Sequence, residues 1–298
     1  MQQGVTGAKS VSLVLISIIL WAVSFPIIKI ILAENPPMAV ASLRMVIAAA
    51  VAILVMVATR GSKRLVTVVK ENFVSLALFG ILYQAIPNVF QNIGMSMMDV
   101  NTAATVSGVL QCSGPVLTII LAIVFLKERP TVKLVAGMIM ALAGSVLMVS
   151  GGLSDFVSAN FWGSLLLLAS AFSYSVAGTI GKKKLSTIDS HELVLVSLPF
   201  GTMATLVAWP IIEEPVFVFS MKTWLLVGFL ALFSGILAVF IWFKVMERVD
   251  LSRMTLFVYL IPVVSGAIAI IFLNERIPPS VYAFAMLILL GVIVAQWK

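Results

Sequence analysis

Long unbroken apolar runs dominate this chain, in place of the alternation of strands or the narrow stripe of amphipathic helices. A bilayer crossing needs about 20 mostly apolar residues. Ten such runs can be placed, at roughly 11–33, 38–59, 73–93, 102–126, 131–150, 161–181, 193–212, 222–243, 251–273 and 279–297. The third and fourth contain the most polar residues, so their limits are the softest. Most connections are short turns, which leaves no room for a soluble catalytic domain. The pattern predicts an all-α membrane protein of ten transmembrane helices.

Composition agrees: 61% of the 298 residues are hydrophobic and 10% are charged, against about 25% charged in soluble domains. Ala22-Val23-Ser24 resembles a signal-peptide cleavage site, but the apolar run continues past it to Leu32, longer than such signals use. The first run is therefore read as a retained span. The single cysteine, Cys112, rules out an internal disulfide and falls mid-span, where it reads as a small buried hydrophobe.

The net charge of +7 sorts by loop. With the N-terminus inside, the inner loops carry fifteen Lys and Arg residues and the outer loops two, Lys222 and Arg276, while Lys29 and Arg44 lie within spans. That bias is the positive-inside rule. It places both termini in the cytoplasm of a multi-pass cell-membrane protein, and it makes the basic excess a topology signal with no nucleic-acid partner implied.

The chain also repeats itself. A shift of 147 lays Phe125-Leu126-Lys127-Glu128-Arg129 on Phe272-Leu273-Asn274-Glu275-Arg276, Pro115 on Pro262 and Gly144 on Gly291. A shift of 153 lays Trp21 on Tyr174 and Lys29 on Lys182. Two five-helix repeats follow, residues 1–152 and 153–298. An odd number of spans per repeat inverts the second relative to the first, a plan that secondary transporters use around a midplane substrate site.

Trp21-Ala22-Val23-Ser24-Phe25-Pro26, Lys29, Pro37 and Ala41-Ser42-Leu43-Arg44, with the two Leu-x-Glu-Arg corners, resemble the EamA branch of the drug/metabolite transporter superfamily. The resemblance covers both halves. It implies ten helices in two inverted repeats and the movement of small organic solutes, amino acids among them. Position 197, where Arg44 would recur, is Ser197, so a role for that arginine is not duplicated.

Gln84, Asn88, Gln91 and Asn92 are spaced i, i+4, i+7 and i+8, which puts them on one helical face. Amides facing lipid would cost several kcal/mol each, so the stripe must line a cavity or glue helices together. Pro87 on the same helix frees the carbonyl of Tyr83. Arg44 lies about 9 Å into its span and reads as a functional cation or as an arginine pinning carbonyls. Lys29 sits near its span's outer end, where it can snorkel. Trp21, Tyr83, Tyr174, Trp242 and Tyr259 serve as packing or as ring surfaces for a ligand. Pro115 and Pro262 are expected to interrupt their helices near mid-membrane and to act as paired hinges. Glu128 and Glu275 read as helix-end charges that set the corners after their spans. Ser107, Gly108, Ser113, Gly114, Ser234 and Gly235 read as close-packing positions.

No carboxylate falls in the middle of a proposed span, the single histidine, His191, reads as a solvated loop residue, and no phosphate loop, metal spacing or catalytic triad is visible. A transporter with no cofactor and no enzymatic activity is expected, its partners being a small-molecule substrate and membrane lipids, with a monomer plausible. The substrate site is placed between the halves, bounded by the amide stripe, Trp21, Tyr174 and Tyr259, with Arg44 or Lys29 above it. A channel or structural membrane protein is the alternative, and a lipid-modifying enzyme a more distant one.

Overall fold

The computed structural model describes residues 8–98, 103–111, 113–150, 161–273 and 279–297. Among them every regular element is helical. In chain order these are α1 (Ala8–Leu32), α2 (Pro37–Phe79), a π-helical turn (Gly80–Ala85), α3 (Ile86–Ser96), α4 (Ala103–Gln111), α5 (Gly114–Leu126), α6 (Val132–Ser150), α7 (Phe161–Lys184) and α8 (Ser190–Ile212). There follow α9 (Met221–Phe229), a second π-helical turn (Leu230–Leu237), α10 (Ala238–Met246), α11 (Leu251–Thr255), a 3-10 turn (Leu256–Tyr259), α12 (Leu260–Leu273) and α13 (Pro279–Gln296). Six helical stretches among the described residues are long and apolar enough to cross a bilayer. Their outward side chains include Leu54, Val74 and Ile211, each more than half exposed. An apolar surface of that kind needs lipid around it.

The region expected as a loop after residue 59 is helical. Gly61, at φ 79 and ψ 155, turns the chain with no intervening loop. This left-handed conformation strains any residue with a Cβ. Beyond it the helix runs through Lys63, Arg64, Lys70 and Glu71 before the apolar run begins at 73. The apolar count misses this stretch because its charges stay exposed while Val68 packs into the core.

The principal helix pairings are α2 with α8, α6 with α13, α3 with α7, α5 with α7, and α1 with α10 and α12. Glycine allows the closest of them. A Cβ on Gly137 would stand 2.3 Å from the Gly291 carbonyl oxygen, and one on Gly144 would stand 2.9 Å from that of Phe284. Gly80 and Gly201 bring the first π turn against α8 in the same way, and Gly94 and Gly163 join α3 to α7.

Gly137→Val is therefore expected to destabilise the protein by about 1–3 kcal/mol through overpacking, read as a lower melting temperature in detergent. Gly228 has nothing within 4 Å of a built Cβ, and Gly228→Ala is expected to leave stability unchanged or slightly raised.

Candidate functional site

A cavity of about 950 Å³, its mouth included, opens between α1, α2, α3, α4, α5, α7, α10, α11, α12, the 3-10 turn and the two π turns. A π turn widens the helix and leaves backbone groups for outside partners. In the first, the carbonyl of Leu82 accepts from Ser173 Oγ at 2.7 Å, and that of Gln84 from Asn88 Nδ2 at 2.6 Å. In the second, the carbonyl of Ser234 accepts from the indole Nε1 of Trp21 at 3.2 Å. The hydroxyl of Ser234 in turn accepts from Arg44 Nη2 at 3.3 Å. Ser234 thus fixes an aromatic ring and a cation side by side on the cavity wall.

The wall has two chemistries. One is aromatic: the rings of Trp21 and Trp242 lie 5.1 Å apart, and Tyr83 meets Tyr174 edge-on at 5.1 Å with Phe79 stacked behind it at 5.0 Å. The other is amide: Gln84, Asn88, Gln91 and Gln111, all buried. Gln111 Nε2 donates to Ser170 Oγ at 3.0 Å, and Ser170 Oγ to the Pro87 carbonyl at 3.3 Å. Nε2 of Gln84 and Oδ1 of Asn88 have no hydrogen-bond partner among the described residues. A buried donor or acceptor left unmet costs about 1–3 kcal/mol, so this pair calls for cavity water or a polar ligand. Arg44 is the one charged residue on the lining among the described residues.

The structure brings Trp21, Arg44, Gln84, Asn88, Gln91, Tyr174 and Pro115 to this cavity and leaves four candidates off it. Asn92 is buried one position beyond the lining and donates to the Pro37 carbonyl at 3.5 Å, holding α3 to α2. Tyr259 is fully buried in the core. Lys29 is half-buried toward the end of α1. Pro262 lies in the first turn of α12, next to Gly108. The regular helix is broken just before each paired proline, which falls in the first turn of the segment that follows, Pro115 as the second residue of α5 and Pro262 as the third of α12. A proline there breaks no established hydrogen bond, so any bend lies in the residues before it. Pro87 repeats the arrangement behind the first π turn. Gln111, Thr118, Ser175 and Thr255 also line the cavity and carry no signal in the sequence beyond being polar within apolar runs. Cys112 and Glu275 lie outside the described residues.

One end of the helix bundle is stapled by charged side chains. The Glu128 carboxylate accepts from the backbone N–H groups of Leu251 and Ser252 at 2.9 and 3.0 Å, capping α11. Lys182 Nζ donates to the carbonyls of Met246 and Val249 at 2.6 and 2.8 Å, on the other side of the same turn. Burial, and the Glu128 carboxylate nearby, raise the pKa of Asp250 in that turn above the usual carboxylate value. Glu247 caps α8 through Ser190 N–H, and Arg64 pairs with the buried Glu192 through two hydrogen bonds. His191 is half-buried within α8, its Nε2 3.1 Å from Thr59 Oγ1, and so is not the solvated loop residue expected. At the other end Glu213 caps α2 by accepting from Met38 and Ala39 N–H.

The EamA-like transporter family matches residues 8–150 and again 161–296. The chain belongs to that family. It is 28% identical over 290 residues to an uncharacterised transporter of Archaeoglobus fulgidus, covering 95% of this chain and 97% of that one. It is 29% identical over 289 residues to a probable amino-acid metabolite efflux pump of Escherichia coli K12, covering 94% and 92%. The uncharacterised inner membrane transporter YedA of the same organism is 24% identical over 247 residues, covering 83% and 77%. A solved crystal structure shares the fold with a TM-score of 0.78 at 19% identity, over 97% of both chains. The protein is a multi-pass membrane transporter.

Glu128→Ala removes the acceptor of two backbone N–H groups. It is expected to cost about 1–3 kcal/mol, with Glu128→Gln in between, measured by thermal unfolding in detergent.

Proposed function

We propose that this transporter is a secondary carrier of small organic metabolites, working by alternating access to the cavity between its halves. The observation that carries the reading is the unmet donor of Gln84 and the unmet acceptor of Asn88 on one wall of a ring-lined cavity. Such groups must bond either cavity water or a ligand that displaces it. The amides then fix the substrate's polar groups, and the rings of Trp21 and Trp242 cover its apolar part. The E. coli relative named as a probable amino-acid metabolite efflux pump makes amino acids and their derivatives reasonable cargo.

The reading includes ten helices in two inverted repeats, residues 1–152 and 153–298, with both termini cytoplasmic. Two features support it, one contact that exchanges under a sequence shift and one kind of contact made by equivalent residues. Under the shift of 147, the approach of Gly137 to Gly291 becomes that of Phe284 to Gly144. Under the shift of 153, Ser17 of α1 corresponds to Ser170 of α7. Each donates to a carbonyl just past a π turn, Ala238 at 3.0 Å and Pro87 at 3.3 Å. A carrier assembled from two such halves has a ready means of opening to either side by rocking one against the other.

Protein reconstituted into liposomes is expected to show saturable uptake stimulated by counter-flow, which a channel does not show. Gln84→Ala and Asn88→Leu should each lower that uptake at least tenfold while the protein still folds. Ser107→Ala should not, since Ser107 is buried away from the cavity beside Met98. Normal uptake in both amide variants would reduce the stripe to helix glue. The doubly substituted Pro115→Ala, Pro262→Ala protein is expected to transport more slowly, and an unchanged rate would remove the hinge role.

A further inference from the structure

We infer that Arg44 is the anchor for a single carboxylate on the substrate, so that the cavity selects organic monocarboxylates carrying an apolar or aromatic group. The inference rests on the cavity being the transport site. Arg44 is more than nine-tenths buried and lies on the lining. Its guanidinium has five N–H donors in a planar fork, and the one hydrogen bond found for it goes to Ser234 Oγ. No carboxylate among the described residues pairs with it. A buried charge without a counter-ion is costly, and a planar carboxylate is the ligand that best matches the fork.

A purely architectural role fits poorly. The position equivalent to Arg44 in the other half is Ser197, whose hydroxyl bonds only its own helix, at the Val194 carbonyl. That half packs its counterpart helix with no cation at this place. The asymmetry suits a ligand, which has its charged group at one end.

The rest of the lining limits the substrate's charge. No acidic residue faces the cavity among the described residues, so an organic cation would meet Arg44 with no counter-ion. A dianion would need a second cation, and Lys182 is committed to the Met246 and Val249 carbonyls outside the lining. Ser234 also sets the geometry. Its carbonyl holds Trp21 and its hydroxyl holds Arg44, so a carboxylate on Arg44 places the adjoining group against the Trp21–Trp242 pair.

The test compares two near-isosteric probes, 3-phenylpropionate and 3-phenylpropionamide, by calorimetric titration of the full chain in nanodiscs. The wild type is expected to bind the carboxylate at least tenfold more tightly than the amide. Arg44→Gln should bring that preference below twofold by losing the carboxylate and keeping the amide. Ser234→Ala, which only frees the guanidinium, should weaken the carboxylate several-fold and leave the amide unchanged, a check that does not depend on removing a buried arginine. Equal binding of both probes by the wild type, binding of neither, or an intact preference in Arg44→Gln would overturn the assignment. Asn88→Leu should weaken both probes together. If it binds both as the wild type does, the cavity reading itself fails, a result distinct from failure of Arg44 alone.

Discussion

Hydrocarbon offers a polar group nothing to bond with, and most of this structure follows from that. Every N–H, carbonyl, amide and hydroxyl at membrane depth has to find a partner inside the protein or face a watery space. The outer surface accordingly presents Leu54, Val74, Val124 and Ile211. The hydroxyls of Ser17, Ser170, Ser173 and Ser175 each reach a carbonyl on a neighbouring helix. Two of the groups left over after that pairing, on Gln84 and Asn88, lie on the wall of the internal cavity, which makes it the candidate site.

The same constraint explains how irregular backbone is tolerated. The two π turns free carbonyls that would be prohibitively costly against lipid, and each is met by a side chain of another helix: Trp21 for Ser234, Ser173 for Leu82. At the helix ends Glu128, Glu213 and Glu247 accept from free N–H groups and Lys182 donates to free carbonyls. Close glycine contacts at Gly137 and Gly144 bring α6 and α13 together where a soluble protein would rely on the hydrophobic effect. Interfaces this tight favour rigid movement of whole helices over local deformation.

Much of this was legible beforehand because the signals are strong in membrane sequences. Apolar runs mark spans, and an amide or arginine stands out against them, as Gln84, Asn88 and Arg44 do. What escaped has physical reasons. The charged segment after Gly61 is helical although its composition reads as loop, because one buried face, including Val68, is enough to hold it. Helical spacing alone assigned Asn92 to the same wall as Gln84. Which amides finally face the cavity depends on the π turn at Gly80–Ala85, which changes the register, and on Pro37, whose carbonyl occupies Asn92. Residue type alone suggests Tyr259 for the site, yet it is wholly enclosed by neighbours that only the packed structure brings together.

The central claim is that one cavity serves both sides of the membrane in turn. It is tested most directly by thiol labelling of Val258→Cys, a lining position, in a Cys112→Ala background, with a membrane-impermeant reagent added to either face of sealed vesicles. The account predicts labelling from each face, slowed from both by saturating substrate, in vesicles that conduct no ions. Labelling from one face only under every condition, or labelling from both faces together with ion conductance, would contradict it.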